Sequence, residues 1–380
     1  MILSLVLVLS LAQGKEATVP LSYVLRLEMA MELCRADIAG MQPVAEQCAA
    51  RLAKGGPPKA ALWAAGQPSL VSEISGRAGG LMMIRPLGEN VLADGDVVLY
   101  TPEPSIPTPQ SLKDAKACVV VFGDPVGQTD WPRFANHGAE AHISPTLANA
   151  IPAWIFTGEL IAALTRLGKM PVIFESIGAY GGNARIQQYK NGEIAFHDDK
   201  TVSPVAAGVI GNRFVDIISA MLRRVEQEER AHLDQAGAWA KEAKAQGKQL
   251  FMYSMGHLFP DEVGKTEIGA VFRSAVWNAG FRHEKPKDAY APGDLAVLIG
   301  YQHPPDDLLR RARPAGARVV YLAVRPDRDF VHDPGVIWID PMWDWPDACV
   351  PLEGYDIPLL AASGIVNGAI AWEIYRLTVM

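Results

Sequence analysis

Cysteine is scarce in this sequence. The 380 residues include four, at positions 34, 48, 118 and 349. Their spacing matches neither a zinc-binding pattern nor the framework of a small disulfide-stapled domain. Along one continuous helix, fourteen residues would hold Cys34 and Cys48 about 21 Å apart, which is beyond disulfide reach unless Gly40 and Pro43 break the helix into a hairpin. The cysteines therefore indicate no structural metal and leave the redox compartment undetermined.

The sequence also lacks the short motifs of several enzyme classes. It contains no Gly-x-Gly-x-x-Gly, no phosphate-binding P-loop and no Gly-x-Ser-x-Gly. Dehydrogenases, nucleoside triphosphatases and serine hydrolases lose support accordingly. The eight histidines form no pair at the spacing that lets one helix bind a metal ion. We therefore predict no cofactor and no metal site.

Basic residues are not in excess. The 35 Lys and Arg stand against 42 Asp and Glu, which gives a formal charge of −7. A chain that neutralises nucleic-acid phosphates usually carries a basic excess, so nucleic acid is not an expected partner. No run of 18 apolar residues occurs either, and no membrane-spanning helix is predicted.

The N-terminus is apolar. Ile2 to Ala12 form a run of signal-peptide length, and Ala12-Gln13-Gly14 follows as a small-x-small cleavage site. This pattern predicts a signal peptide over residues 1–14 and export to the periplasm or the cell exterior. Because no Lys or Arg precedes the run, a cytoplasmic chain with a buried first helix is the alternative.

The overall composition is that of ordinary globular domains. Apolar residues make up 49% of the chain and charged residues 20%, and 380 residues suit two domains, each with its own core. Tyr23 to Lys54 is typical of a helix that Gly40 and Pro43 kink or split. Three short apolar segments then predict strands, at Ala60–Ala65, Asp96–Tyr100 and Ala117–Phe122.

The second half repeats this order. A long helical segment, a strand with a glycine turn, two further strands and a helix that starts with small residues recur at Phe214–Gln246, Leu250–Gly256, Pro292–Gly300, Ala317–Leu322 and Ile357–Asn367. Five matched elements in one order indicate an internal duplication. We therefore predict an α/β fold with two tandem, doubly wound, parallel-sheet domains of flavodoxin-like form, over residues 18–170 and 202–380.

Residues 171–201 have no counterpart in the first half. Pro171–Glu175 has the pattern of a strand. Arg185–Lys190 and Glu193–His197 flank Asn191-Gly192, a dipeptide that is typical of tight β-hairpin turns. The sequence therefore predicts an inter-domain strand and a β-hairpin insertion, which would cover a sheet edge, close over a site or bind a partner.

One segment carries a family resemblance. Ser72–Leu81, with Glu73 and the run Arg77-Ala78-Gly79-Gly80, resembles a segment from a branch of the sugar isomerase (SIS) family, and Gly256-His257 resembles the pair that opens the same loop there. The likeness covers residues 20–170 and 205–380. It implies a tandem double-SIS protein that binds phosphosugars, in a family whose members range from aldose–ketose isomerases and sugar-acid ether-cleaving enzymes to non-catalytic sensors.

The sequence departs from the family at the phosphate-binding loop, which is usually Ser-x-Ser-Gly-x-Thr. The first half has Thr101, Ser105 and Thr108 among prolines, and the second half has no Ser or Thr between Gly300 and Pro305. The first site is thus expected to be the better preserved of the two.

Ligand-binding candidates follow from position. A glycine turn at the carboxyl end of a strand presents backbone N–H groups that suit an anion or a polar sugar. The candidates occur in such turns, in the loops beside them or at small-residue helix starts: Gly66, Gln67, Ser69, Thr101, Ser105, Thr108, Ser144, Thr146, Gly256, His257 and Ser363.

Isomerisation would also need a carboxylate or an imidazole near the carbon-bound proton. Glu73 is the catalytic candidate, because it matches a family glutamate. Other side chains of suitable type are His142, Glu159, His257, Glu262, His303 and Glu373.

Three functions follow from these patterns. The leading hypothesis is binding of a sugar or sugar phosphate without demonstrated turnover. The alternatives are a phosphosugar aldose–ketose isomerase that uses Glu73, and a non-catalytic scaffold that uses the hairpin to bind a protein. The expected partner is a small molecule, and the sequence leaves open whether the chain forms a homo-oligomer.

Overall fold

A computed structural model describes residues 21–54, 60–103, 108–123, 130–177, 182–255, 259–276, 288–301, 306–324, 333–344 and 346–380. The predicted signal peptide lies outside these residues. So do four of the candidate site residues, which are Ser105, Gly256, His257 and His303.

The helices and strands alternate along the chain. The helices are α1 (Tyr23–Arg35), α2 (Ile38–Leu52), α3 (Pro68–Ile74), α4 (Gln110–Asp114), α5 (Gly138–Ala141), α6 (Pro145–Arg166), α7 (Asn183–Lys190), α8 (Val209–Glu228), α9 (Arg230–Ala245), α10 (Phe259–Gly264), α11 (Glu267–Val271), α12 (Asp306–Ala312) and α13 (Ser363–Val379). The strands are β1 (Leu62–Gly66), β2 (Ile84–Pro86), β3 (Val97–Thr101), β4 (Cys118–Phe122), β5 (Arg133–Phe134), β6 (Leu250–Ser254), β7 (Arg273–Val276), β8 (Leu295–Ile299), β9 (Arg318–Leu322), β10 (Val336–Ile339), β11 (Ala348–Leu352) and β12 (Tyr355–Ala361).

Two five-stranded parallel sheets form the framework. The first has the order β2-β1-β3-β4-β5 and the second the order β7-β6-β8-β9-β10. Within each sheet every pairing is parallel. The two orders are the same once the second set is renumbered from one, and they match the doubly wound arrangement 2-1-3-4-5. The predicted α/β fold with two tandem parallel sheets is confirmed.

One hydrophobic core joins the two halves. Alternate residues of a strand point to opposite faces, so Val97 and Leu99 of β3 face the shared core while Val98 and Tyr100 pack on the outer face of the first sheet. Residues of β6 and β8 enter the same shared core from the second sheet. Both faces of each sheet are covered, which explains why these strands are continuous apolar runs.

The predicted long helices are each divided in two. The break in the first lies between α1 and α2, at Ala36–Asp37, and Gly40 and Pro43 lie inside α2. These two residues were predicted to kink or split the helix, and the split lies before them, not at them. Pro43 forfeits one backbone hydrogen bond, and the buried side of α2 holds the helix against the core. The second long helix divides at Glu229, between α8 and α9.

Each half supplies a cap for a helix of the other half. Glu159, in α6, caps the start of α8. Its Oε2 accepts a hydrogen bond from the N–H of Gly208 at 2.7 Å, and its Oε1 accepts one from the N–H of Gly211 at 3.1 Å. Glu373, in α13, accepts one from the N–H of Tyr23, the first residue of α1, at 2.7 Å. The first four N–H groups of a helix lack partners within it, so these carboxylates satisfy donors that would otherwise be buried unpaired.

The predicted hairpin between the halves is wrong. Residues 183–190 form α7, and Glu193–His197 make no strand, although Phe196 pairs with Pro171 in an isolated bridge. Ala, Arg, Gln and Lys favour a helix here, and Gly192, with φ of +73°, follows its end instead of closing a hairpin. Pro171–Glu175 likewise makes isolated bridges only, in the described part of the chain.

An antiparallel pair does occur nearer the C-terminus. β11 and β12 pair around Glu353-Gly354, where Gly354 has φ of +79°. Among the described residues, one helix, α6, is long and apolar enough by composition to cross a membrane, and its residues from Thr146 to Thr165 are buried within the protein.

Candidate functional site

The carboxyl ends of β1, β3 and β4 meet the start of α6 in a polar cluster. We call this cluster the first crevice and define it by Gly66, Gln67, Thr101, Thr146 and Asn149. The parallel register places Gly66 directly beside Thr101. The corresponding place in the second half, the second crevice, is defined by Gly300, Tyr301, Ser363 and Asn367.

The turn at Gly66 requires glycine. Its φ is +96°, and a Cβ atom there would lie 1.9 Å from the carbonyl oxygen of Thr101. The N–H of Gln67 donates to that same oxygen at 3.0 Å, and Pro68 has no N–H. The turn therefore offers a ligand fewer backbone donors than the sequence suggested, and the polar groups of the crevice come mainly from side chains.

Those side chains form a continuous hydrogen-bonded chain. Nε2 of Gln67 donates to Oγ1 of Thr146 at 2.9 Å, and Nδ2 of Asn149 donates to Oε1 of Gln67 at 3.2 Å. Asn136 extends the chain by donating to Oδ1 of Asn149 at 2.5 Å. Gly123 leaves room for this, because a Cβ atom there would lie 2.4 Å from Oδ1 of Asn149. The amides are thus fixed in orientation before any ligand arrives.

The Thr101 side chain is fully buried and does not join this hydrogen-bonded chain. Its Oγ1 atom has no hydrogen-bond partner among the described residues. By strand alternation the side chain lies on the same sheet face as Leu99, the face that packs against the shared core. An unpaired buried hydroxyl costs free energy, so its presence at the crevice indicates a position where a polar group of a ligand would be stabilising.

Glu262 brings a carboxyl from the second half to the edge of the first crevice. Its Oε1 accepts hydrogen bonds from the Ser144 hydroxyl, at the N-cap of α6, and from the indole N–H of Trp372, and its Oε2 accepts none from the described residues. Burial raises the pKa of Glu262, and this outweighs the Ser144, Trp372 and Thr146 side chains, which lower it.

We expect Glu262→Gln to change how stability depends on pH. A carboxyl whose pKa is raised by folding contributes its full stability below its ordinary pKa and loses that contribution as pH rises through the folded-state value. The wild-type free energy of unfolding should therefore fall, relative to that of E262Q, as pH increases above the ordinary carboxyl pKa of about 4. Urea unfolding across this range measures the difference, and parallel curves for the two proteins would contradict it.

The second crevice is occupied by a first-half side chain. Nη1 of Arg77 lies 2.9 Å from Oε2 of Glu73, and its Nη2 lies 2.6 Å from Oδ2 of Asp347 and also donates to the Ser363 hydroxyl. Ser363 in turn donates to Oδ2 of Asp347 at 3.0 Å. Arg77 and Glu73 are both buried, and Trp154 donates to the other oxygen of Glu73 at 3.3 Å.

Aromatic side chains fill the rest of that crevice. Nε1 of Trp343 donates to Oδ1 of Asn367 at 2.9 Å, and Nδ2 of Asn367 donates to the carbonyl of Gly300. Tyr301 packs edge-on against Trp343, with ring centroids 5.6 Å apart. The asparagines Asn149 and Asn367 thus face different surroundings: amides and hydroxyls in the first crevice, an indole in the second.

The remaining predicted residues are scattered. Ser69 is buried in α3, and Ser144 caps α6 while holding Glu262. Thr108 contacts the hydroxyl of Tyr100, whose ring packs on the outer face of the first sheet, so it does not join the first crevice. His142 adopts a left-handed backbone conformation at the end of α5. Ser363 belongs to the second crevice.

Several residues of these clusters were not anticipated. Asn136, Asn149, Arg77 (as an ion-pair partner) and Asp347 are brought in by tertiary contacts. One signal was available for the asparagines: Asn149 and Asn367 occupy the same place in the two small-residue helix starts, each five residues before a tryptophan, Trp154 or Trp372.

Two further features bear on the location of the site. Among the described residues, no group of three or more His, Cys, Asp or Glu could hold a metal ion. An open cavity of ≈ 470 Å³ lies at the amino ends of β6 and β7, lined in part by Lys244, Lys248 and Arg273. It is at the sheet edge opposite the crevices, and no predicted site residue borders it.

Comparison with solved structures identifies the fold. Over 96% of this chain and 98% of the other, the structure is similar to the C-terminal domain of glucosamine-fructose-6-phosphate aminotransferase from Francisella tularensis, with a TM-score of 0.50 and 10% sequence identity. The chain therefore has the SIS-like fold that its residues predicted. No protein-family profile and no curated protein sequence matches it.

Two other solved structures are similar at lower scores. One is a candidate sugar binding protein from Salmonella typhimurium LT2, with a TM-score of 0.48 and 8% identity over 94% of this chain and 99% of that one. The other is glucosamine-6-phosphate deaminase from Thermotoga maritima, with a TM-score of 0.35 and 12% identity over 91% of this chain and 94% of that one.

Proposed function

We propose that this protein binds a sugar phosphate in the first crevice, with one molecule bound per chain. The observation that carries the proposal is the buried hydroxyl of Thr101, which has no partner among the described residues, beside a fixed row of amide and hydroxyl groups. Such a row of oriented donors and acceptors suits the hydroxyl groups of a sugar. The similar C-terminal domain belongs to a protein whose name includes a phosphorylated hexose, which supports a ligand of that class.

We propose one binding site per chain because the two crevices differ in the side chains that line them. The first retains side-chain amides and hydroxyls at the carboxyl ends of its strands, where ligands bind in open parallel sheets. In the second, the Arg77 guanidinium and the Trp343 ring take up the corresponding space. Titration calorimetry with hexose 6-phosphates should give a stoichiometry near one, and no heat with any of them at millimolar concentration would contradict the proposal.

Thr101→Val tests the site directly. Valine has nearly the same shape and removes a hydroxyl that no described residue pairs with, so we expect the unliganded protein to gain about 1 kcal/mol of stability. Binding of the sugar phosphate should weaken about tenfold, because the ligand loses one hydrogen bond in a buried site. Chemical unfolding and calorimetry measure the two effects in the same variant.

Thr157→Val is the matched control. Thr157 is equally buried, but its hydroxyl donates to the carbonyl of Ala153 at 2.8 Å within α6. Loss of the Thr157 hydroxyl should leave the affinity for the sugar phosphate unchanged and should not stabilise the protein. Equal effects of T101V and T157V on affinity would show that Thr101 does not contact the ligand.

Turnover of the bound sugar is a second candidate function, favoured by Glu262 and not by Glu73. Glu73 is held by Arg77 at the second crevice. Glu262 is a carboxyl of raised pKa beside Thr146, and one of its oxygens has no hydrogen-bond donor in the described part of the chain. A general acid or base requires such a group near the substrate. If the protein interconverts aldose and ketose phosphates, Glu262→Gln should abolish turnover and retain binding, while unchanged turnover would exclude this role.

A further inference from the structure

Two of the four cysteines are in contact. Cys48 lies in α2 and Cys118 is the first residue of β4, and their sulfur atoms are 3.7 Å apart although the residues are 70 positions apart in sequence. Cys48 is completely buried, and Cys118 is 7% exposed. Because Cys118 lies at the amino edge of the first sheet, this pair is at the opposite end of β4 from the first crevice.

The other two cysteines have different surroundings. The Cys34 thiol is near the carbonyl oxygens of Ala135 and Asn136, at 3.8 and 3.9 Å. All four cysteines are free thiols. Burial raises the pKa of both Cys34 and Cys349, which disfavours the thiolate that reacts with oxidants.

We propose that Cys48 and Cys118 are a peroxide-reactive pair that closes a reversible disulfide between α2 and β4. A disulfide needs sulfur atoms about 2.0 Å apart, so the two must approach by about 1.7 Å. Cys118 is held by its place in the parallel ladder beside Val97. Rotation of the two side chains and a small displacement of α2 would supply the approach.

Cys118 is the residue that reacts first. It is the more exposed of the two, and the Arg51 side chain donates to the carbonyl of Lys116 nearby. The hydrogen bond with Cys48 and the charge of Arg51 together lower the pKa of Cys118 to about 7, against the effect of burial. Hydrogen peroxide is small enough to reach a thiol at this depth, where a bulky disulfide reagent is not.

The chemistry balances in two steps. The Cys118 thiolate attacks one peroxide oxygen, so that an S–O bond forms, the O–O bond breaks and hydroxide leaves, taking up a proton to become water. The Cys48 sulfur then attacks the resulting sulfenic acid, an S–S bond forms, and the second oxygen leaves as water with the thiol proton. The two sulfurs lose two electrons in total, and one hydrogen peroxide becomes two waters.

The test uses the folded full chain. After treatment with hydrogen peroxide, denaturation and alkylation, intact mass should show the loss of two of the four alkylatable thiols. Peptide mapping should find Cys48 linked to Cys118, and dithiothreitol should restore all four. In Cys48→Ala, dimedone should instead trap a sulfenic acid on Cys118.

Two controls distinguish specific oxidation of the Cys48–Cys118 pair from general oxidation of the thiols. Cys34→Ser should retain the Cys48–Cys118 link, and the same peroxide treatment in urea should give mixed links that include Cys34 or Cys349. Four alkylatable thiols after oxidation of the folded protein, or a link that involves Cys34 or Cys349, would overturn the proposal. Circular dichroism of each variant verifies that its fold is intact.

Discussion

Arg77→Met should lower the free energy of unfolding by about 3–5 kcal/mol, the usual cost of removing one partner from a buried ion pair. Arg77 is 1% exposed and lies between the carboxylates of Glu73 and Asp347, at 2.9 and 2.6 Å. Methionine fills similar volume without charge, so the loss comes from two carboxylates left buried without a counter-ion. Urea unfolding measures it.

Two further variants make the test specific. Replacing both acids in the R77M background, with Glu73→Gln and Asp347→Asn, should recover most of the lost stability, because no unpaired charge remains. Arg35→Met is the surface control: Arg35 pairs with Glu32 and Asp216, is 28% exposed, and should cost about 1 kcal/mol or less. An R77M loss no larger than that of R35M would contradict the expectation.

Gly66→Ala should cost about 3 kcal/mol or more and abolish ligand binding. The methyl group meets two penalties: a left-handed backbone, worth about 1–2 kcal/mol, and a Cβ atom 1.9 Å from a backbone oxygen of Thr101. A side chain can rotate away, but this oxygen is held in the strand pairing, so β1 and β3 must separate where the crevice forms. Chemical unfolding and calorimetry with a hexose 6-phosphate check both effects.

Gly76→Ala is the matched control for that prediction. Gly76 has φ of +89°, close to that of Gly66, but no heavy atom lies within 4 Å of a Cβ atom built there. Its alanine variant meets the backbone penalty alone, about 1–2 kcal/mol, and should bind normally. Equal losses in G66A and G76A would mean that the contact with Thr101 is relieved without cost.

The sheets were predictable because their signal is local. β3, β4, β6 and β8 are buried at every position, so each is a short apolar run between turn residues, and the repeated order of elements sets the topology. The predicted hairpin around Asn191-Gly192 was wrong because it, too, rested on a local signal. The dipeptide is a local turn signal, but it occurs at the end of a helix as readily as in a hairpin.

The side-chain clusters at the two crevices depend on contacts between residues that are far apart in the sequence. Arg77 and Asp347 are 270 positions apart, and Gln67 and Asn149 are 82 apart. The i,i+4 spacing of Glu73 and Arg77 permits their ion pair, but nothing near them in the sequence indicates that Asp347 and Ser363 complete the cluster. Glu262 was one of several acids of suitable type, and only the packing of α10 against the first half distinguishes it from Glu159, which caps a helix.

The cap on α1 has a consequence for how the protein is made. The carboxylate that accepts from the N–H of Tyr23 belongs to Glu373, and the two residues are 350 positions apart. A ribosome therefore releases the start of the first helix long before it adds the group that completes it. Until α13 has been synthesised, an emerging first half lacks this cap, so the final packing of α1 can be completed only after Glu373 has been added to the chain.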